Sequence, residues 1–236
     1  MNIRYMAMTA VAALCLVESC TVRINKEKLN DELVDKAAHV IMAGRGEEKT
    51  VSHELQVFDK VNVQGSLKVQ YYVGEPKAEI TAPSDLQEFI LVEQDGDEVT
   101  VCLEDHVSIA SEVPVLVTLY SNSLSAVSLA GSGEVMVDEQ KGESFEISLA
   151  GSGDIQVIMA EAKSMDVSIA GSGDVELQDV DADDLKLSIA GSGDLNVIGT
   201  AASVNAKIAG SGDIDLSSLE CENVSIVAMG SGKVIR

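Results

Sequence analysis

Along the second half of the chain, apolar and polar residues alternate in blocks that recur at a fixed interval. Each block is centred on a Gly-Ser-Gly tripeptide, beginning at Gly131, Gly151, Gly171, Gly191, Gly210 and Gly230, in steps of 20, 20, 20, 19 and 20 residues. Two residues before the first glycine stand Leu129, Leu149, Ile169, Ile189, Ile208 and Ala228. Four before it are Val127, Ile147, Val167, Leu187, Ala206 and Ile226, and six before it Phe145, Met165, Leu185, Val204 and Val224. Between them lie Ser128, Ser148, Ser168, Ser188 and Lys207. A period of two predicts a strand with one buried face. A second alternating run follows the tripeptide, opening on Val135, Ile155, Val175, Leu195, Ile214 and Val234.

Strand, Gly-Ser-Gly corner, strand and a looser polar corner thus form one repeating unit. A unit this short cannot bury its apolar face alone, but stacked copies bury it against their neighbours. The predicted fold class is all-β, a β-solenoid of ~20-residue coils with strands about 4.8 Å apart. Its structural turn residues are the paired glycines Gly131 and Gly133, Gly151 and Gly153, Gly171 and Gly173, Gly191 and Gly193, Gly210 and Gly212, Gly230 and Gly232. A tight corner needs positive φ, which glycine reaches without steric penalty. The alanine before each corner is expected to keep a crowded bend free of bulk.

Upstream, the repeat loosens. "VNVQGSLKVQYY" aligns with "VSIAGSGDVELQ", matching Val61 to Val167, Gly65 to Gly171 and Val69 to Val175, with Leu67 in place of the second glycine. The 66 residues from Gly65 to Gly131 read as three coils of about 22. "SDLQEFI" begins like a capped short helix, "DGDEVTVCL" like a turn and strand, and "PVLVTLY" like another strand. Leu29, Leu33, Ala37, Val40 and Ile41 have helical spacing, which predicts a short helix over 27–43. The expected organisation is a signal segment over 1–19, a linker with that helix over 20–49, and a solenoid over 50–236, looser over 50–127 and regular over 128–236.

At the N-terminus, Arg4 precedes the apolar run Met6–Val17, too short to span a bilayer but suited to a signal-peptide core. The run ends in "LVESC", which resembles a lipobox and makes Cys20 the expected lipidation site. Glu18 departs from the small or apolar residue usual at its place. The reading is an exported protein, an outer-membrane lipoprotein on the periplasmic side or the cell surface, anchored to lipid through its N-terminus.

Composition removes several functions. The formal net charge is -23, and arginine occurs only at positions 4, 23, 45 and 236. Such a chain disfavours nucleic acid and anionic surfaces as partners. Aromatic residues are few, and tryptophan is absent, so base-stacking platforms have little to work with. With Cys15 in the signal segment and Cys20 as anchor, only Cys102 and Cys221 remain. Neither has a neighbouring His or Cys at metal spacing, and unpaired thiols are the simpler reading.

The entry "VFDKVNVQGSLKVQYYVGE", the "DGDEVTV" turn and the serial "AGSGD" corners together resemble the head GIN domain of auto-transporter adhesins, over roughly residues 50 to 236. The resemblance implies a right-handed β-helix on an exported, lipid-anchored protein. It brings no catalytic residues and no cofactor.

The position after each corner is Glu134, Asp154, Asp174, Asp194, Asp213 and Lys233. Stacking would align these as a carboxylate column. A functional reading is a Ca²⁺ stripe over Asp154, Asp174, Asp194 and Asp213; the preferred one is that Asp opens each strand by capping backbone N–H groups. Six copies of a corner serine argue against a unique nucleophile. His39, His53 and His106 are scattered, His106 near Asp105. A polysaccharide-lyase reading lacks an arginine base. The expected function is therefore a non-enzymatic, envelope-anchored surface for adhesion or interaction with a protein or glycan. A glycan-binding or glycan-active acidic β-helix and a structural periplasmic spacer are the alternatives. The sequence stops at "GSGKVIR", midway through a coil, and a weak homo-oligomer through that coil is expected.

Overall fold

The computed structural model describes residues 22–23, 40–111 and 115–236. In chain order the strands are β1 (Val22–Arg23), β2 (Val40–Met42), β3 (Glu48–Glu54), β4 (Lys60–Gly65), β5 (Lys68–Val73), β6 (Lys77–Pro83), β7 (Ile90–Asp95), β8 (Glu98–Leu103), β9 (Val107–Ile109), β10 (Leu116–Ser121) and β11 (Ala126–Gly131). The regular coils follow as β12 (Glu134–Gly151), β13 (Asp154–Gly171), β14 (Asp174–Gly191), β15 (Leu195–Gly210), β16 (Ile214–Gly230) and β17 (Val234–Ile235). The fold is an all-β solenoid. Coil stacks on coil in parallel and in register, pairing Ile155 with Val175, Val167 with Leu187 and Gly171 with Gly191.

Each regular coil has three sides. In β13 the buried residues are Ile155, Val157, Ala160, Ala162, Met165, Val167 and Ile169. A strand keeps one face inward only at even spacing. The steps from Val157 to Ala160 and from Ala162 to Met165 are odd, so the chain bends at both places. What the sequence pattern presents as a loose polar corner is a short third side. In β13 to β15 its inward residues are small (Ala160 and Ala162, Val180 and Ala182, Ala201), and in β12 the place of Ala160 is taken by buried Gln140, whose amide donates to the Leu124 carbonyl at 3.2 Å. Such residues give almost no apolar signal. The single 19-residue step is absorbed at this corner. There the register between β14 and β15 shifts, and Gly199 lies opposite Val180 with φ of 136°.

The base is built differently from the three loose coils expected. Gly131 pairs directly with Gly65, and Leu129 with Val63, so β11 lies immediately on β4. Residues between them go the other way. β8 pairs with the opposite edge of β4, and β10 with the edge of β5 that faces away from β12. Antiparallel strands then close the stack, β7 on β8, β6 on β10 and β3 on β6. Antiparallel closure breaks the parallel ladder with hairpin geometry, as at Gly96, whose φ is 62°. The capped helix expected at "SDLQEFI" is a 3-10 turn, Gln87–Phe89, with no side-chain cap at Leu86. Asp85 is drawn off to accept the N–H groups of Arg45 and Gly46 at 3.0 and 2.9 Å.

The signal segment, Cys20, His39 and most of the predicted helix lie outside the described residues. Its last turn is not helical: Val40–Met42 is a strand, paired in parallel with Val22–Arg23 and Val107–Ile109. The β-branched pair Val40 and Ile41 suits that ladder better than a helix end.

One continuous core runs from Phe58 to Leu216. At its base Tyr71, 1% exposed, donates its hydroxyl to the Ser121 carbonyl at 3.0 Å, and Ser121 donates to the Phe58 carbonyl. Burial, with the nearby Asp59 charge, pushes the Tyr71 phenol up to about 12. The folded state therefore favours the neutral phenol. That preference is fully present below about pH 10, the ordinary value, and is lost as pH rises towards 12. We predict that Tyr71→Phe costs about 1 kcal/mol at neutral pH but reduces the loss of stability between pH 10 and 12. Denaturation curves of both proteins with equal alkaline slopes would show that Tyr71 does not carry this dependence.

Candidate functional site

The two glycines of each corner serve different ends. At Gly171, φ is 140° and a side chain would be strained. The carbonyl of Gly151 beneath it accepts two N–H groups, from Ser172 at 2.8 Å and Gly173 at 3.2 Å. Gly173 has no positive φ. Its reason is contact, because a Cβ there would overlap the carbonyl oxygen of Gly153. The same double acceptance recurs at the Gly131, Gly171, Gly191 and Gly210 carbonyls. The alanines before the corners, Ala130, Ala150, Ala170, Ala190 and Ala209, are exposed. Crowding does not keep them small, and Met229 occupies the same position.

The acidic column is a hydrogen-bond ladder over its upper part. The Asp174 carboxylate accepts the Asp194 N–H at 2.8 Å, Asp194 accepts that of Asp213 at 2.8 Å, and Asp213 accepts that of Lys233 at 2.7 Å. Lower down, the N–H groups of Asp154 and Asp174 go to the Gly133 and Gly153 carbonyls, and Glu134 is paired with Lys68 at 2.7 Å. Repulsion between neighbouring carboxylates about 5 Å apart is roughly 0.8 kcal/mol in bulk water. Burying a single Leu or Ile contributes roughly 1.5–3 kcal/mol, so a coil tolerates the column. Among the described residues no group of three or more His, Cys, Asp or Glu is arranged to hold a metal ion.

Beside the column runs a flat flank. An open groove of about 470 Å³ follows Glu134, Asp154, Asp174 and Asp194 and the outward row Gln156, Glu176 and Asn196. Registers extend this row in both directions: from Asn196 to Asp215, and from Gln156 through Met136 and Gln70 to Thr118 and Glu79. On the same face Tyr72 and Tyr120, distant in sequence, stack at 5.9 Å, and the Lys77 ammonium lies 4.4 Å from the Tyr120 ring centre. Tyr71 and Tyr72 are adjacent in the sequence. Their alternation puts Tyr71 in the core and Tyr72 on this flank, and only the pairing of β5 with β10 brings in Tyr120.

Other candidates remain apart. Ser132, Ser152, Ser172, Ser192, Ser211 and Ser231 are exposed at the corners. His53 lies on the edge strand β3 and His106 in a turn with φ of 65°. Cys102 and Cys221 are free and half-buried. They sit in β8 and β16, near opposite ends of the strand order, which rules out a bridge between them. Burial, with Glu93 and Asp105 nearby, raises the Cys102 thiol above its ordinary value.

Residues 57–178 and 159–235 match the family described as "Putative auto-transporter adhesin, head GIN domain", and the chain belongs to this family. The fold is shared with solved structures. A "putative adhesin" from Parabacteroides distasonis is 20% identical, with a TM-score of 0.74 over 82% of this chain and 83% of that one. Another from Bacteroides fragilis is 18% identical, with a TM-score of 0.65 over 82% and 98%. A "putative lipid binding protein" from Parabacteroides distasonis is 19% identical, with a TM-score of 0.59 over 83% and 100%. No curated protein matches the chain.

Two substitutions separate corner from filler. Gly171→Ala combines backbone strain with overlap on the Gly151 carbonyl and should cost about 2–5 kcal/mol. Gly142 has no positive φ, and Gly142→Ala meets the Gln140 amide nitrogen at 3.3 Å and the Ser144 carbonyl oxygen at 3.9 Å. Without overlap on the backbone, it should change stability by less than about 1 kcal/mol. Equal melting temperatures for the two variants would contradict the corner geometry. For the ladder, Asp194→Asn keeps the acceptor and should be near neutral, whereas Asp194→Ala should lose about 1–2 kcal/mol. Calcium that raises the melting temperature of the parent but not of Asp194→Asn would instead make the column a cation site.

Proposed function

We propose that this protein is a non-enzymatic, envelope-anchored β-solenoid whose flank is an adhesion or interaction surface. The observation that supports this most is the open groove spanning four coils, with its outward row of amides and carboxylates held at fixed spacing by the in-register ladder. Rigid, regularly spaced polar groups suit an extended partner laid across the coils. Membership of a family described by adhesion agrees with export, and the leader-like N-terminus with Cys20 as anchor supplies a route to the envelope.

A glycan ligand is the second reading, favoured by the Tyr72–Tyr120 stack on the same face as the groove. An aromatic ring beside amides and carboxylates offers both stacking and hydrogen bonding to a sugar. Protease treatment of intact cells should remove the protein, and Cys20→Ser should release it from the membrane fraction. Protection in intact cells, with cleavage after permeabilisation, would favour a periplasmic spacer. For surface-exposed protein, the double variant Glu176→Lys with Asn196→Lys should reduce adherence at least tenfold without lowering the melting temperature. Unchanged adherence would remove the flank as the binding surface.

A further inference from the structure

The three sides of a regular coil are alike inside and unlike outside. On the side that precedes each Gly-Ser-Gly corner, outward residues are small or charged, with Ser148, Ser168 and Ser188 in one row and Glu146, Asp166 and Lys186 in the next. The short third side is charged, as Lys141, Glu161 and Asp181 show. On the side that follows the corner, large apolar residues turn outward. Met136 stands in the row of Gln156 and Glu176. One alternation further along come Asp138, Ile158, Gln178 and Ile198, and in the base Tyr72 and Tyr120 extend that row. Val73 and Met159 stand at the bend that ends this side, 52% and 39% exposed. None of these residues is needed to fill the core, whose inward rows are complete without them. Apolar surface of this kind, rimmed by polar groups, marks an interaction site.

Charge selects the occupant. Over β12 to β15 the same side carries Glu134, Asp138, Asp154, Asp174, Glu176 and Asp194, and neither Lys nor Arg. Glu134 meets Lys68 from the base at 2.7 Å. The lysines of these coils lie on the other two sides, Lys141 and Lys163 on the short one and Lys186 and Lys207 before the corner. A face of this sign repels an anionic membrane surface and a second copy of a chain at -23. It complements a partner that offers positive charge and apolar area together.

We infer that this flank docks a cationic amphipathic helix of a partner protein, laid along the stack. Its basic residues face the acidic column, and its apolar residues face Ile158, Ile198 and the bend. This names the partner class of the interaction surface proposed above and rests on that reading. Spacing selects the helix. Side-chain rows recur once per coil, about every 4.8 Å. A helix brings a residue to one face about every 5.4 Å, an extended strand about every 6.8 Å. Over the four coils of the groove a helix runs ahead of the rows by about 2 Å, which side chains absorb, and a strand by about 6 Å, more than a whole coil. Width agrees as well. The four residues from the column to the outer row span about 13 Å, close to the 10–12 Å or so of a helix with its side chains. Recognition of this form reads one helix face through residues a turn apart.

The test uses the full chain and a labelled synthetic peptide of Leu, Lys, Gln and Ala, about 27 Å long as an ~18-residue helix, with one stripe of Lys and one of Leu at helical spacing. Fluorescence anisotropy should show binding that weakens as salt rises, with a gain of helix in circular dichroism. A peptide of the same composition reordered to period two should bind at least tenfold more weakly. Asp154→Asn with Glu176→Gln should weaken binding at least tenfold. Asp179→Asn with Asp183→Asn, the same change of charge on the third side, should leave it unchanged. Ile158→Gln with Ile198→Gln should weaken it at an unchanged melting temperature, since Gln178 already holds this place in β14. Equal effects of the two acid pairs, a reordered peptide that binds as well, or binding of chitohexaose at the flank with no peptide bound would overturn the inference. A peptide that fails to bind, while Glu176→Lys with Asn196→Lys still abolishes adherence, overturns the helix and leaves the adhesion flank standing. Peptide binding as expected, with adherence unchanged in that double variant, upholds the helix site and removes only its role in adhesion.

Discussion

The architecture depends on one carbonyl per coil accepting two N–H groups from the coil above. This shared hydrogen bond at the Gly-Ser-Gly corner draws consecutive backbones so close that no Cβ fits between them. The contact explains both glycines at once, and it fixes the stacking distance and register for the rest of the coil. With the corner pinned, inward residues four and two before it must meet their equivalents above and below. In-register stacking of Val, Leu and Ile then follows as packing.

The same register that stacks apolar residues stacks charges, and the structure uses the acids in two ways. Asp174, Asp194 and Asp213 give their carboxylates to backbone N–H groups one coil above, at the point where the corner leaves those groups without a ladder partner. Glu134, at the start of the column, meets Lys68 instead. Lys233 takes part through its backbone, so its ammonium is not consumed by the column. The remaining acids line an open flank, where a high negative charge keeps the surface hydrated and soluble.

Much of this was legible in the sequence, for identifiable reasons. A period near 20 residues and strict alternation around each Gly-Ser-Gly reveal strands and corners, because both signals repeat many times. The third side escaped notice because it rests on pairs such as Ala160 and Ala162, whose burial depends on a bend rather than on hydrophobicity. The base escaped for a different reason. Spacing alone cannot distinguish three coils between Gly65 and Gly131 from one coil step with a long excursion; only the pairing of β4 with both β8 and β11 does so. The flank aromatics were half visible, since Tyr120 becomes a neighbour of Tyr72 only through β5 and β10. The 3-10 turn at Gln87–Phe89 replaced the expected helix because Asp85 and Gln87 are engaged with neighbouring backbone.

That excursion constrains the order in which the chain can assemble. A simple solenoid can grow from its first coil, each new turn adding contacts to a finished neighbour. Here the coil formed by β4 and β5 acquires a neighbour on one edge from β8 and β10 and on the other from β11 and β12, all of them later in the chain. Closing this base means bringing together segments some 66 residues apart, a larger entropic step than the 20-residue closures above it. The regular coils are therefore the fast, local part of folding, and the base is the slow, non-local part. During synthesis from the N-terminus, β4 and β5 emerge before any of these partners; β8 and β10 can cover one edge, but the other stays open until β11 and β12 arrive. The first solenoid coil in the chain is thus the last to be enclosed on both edges.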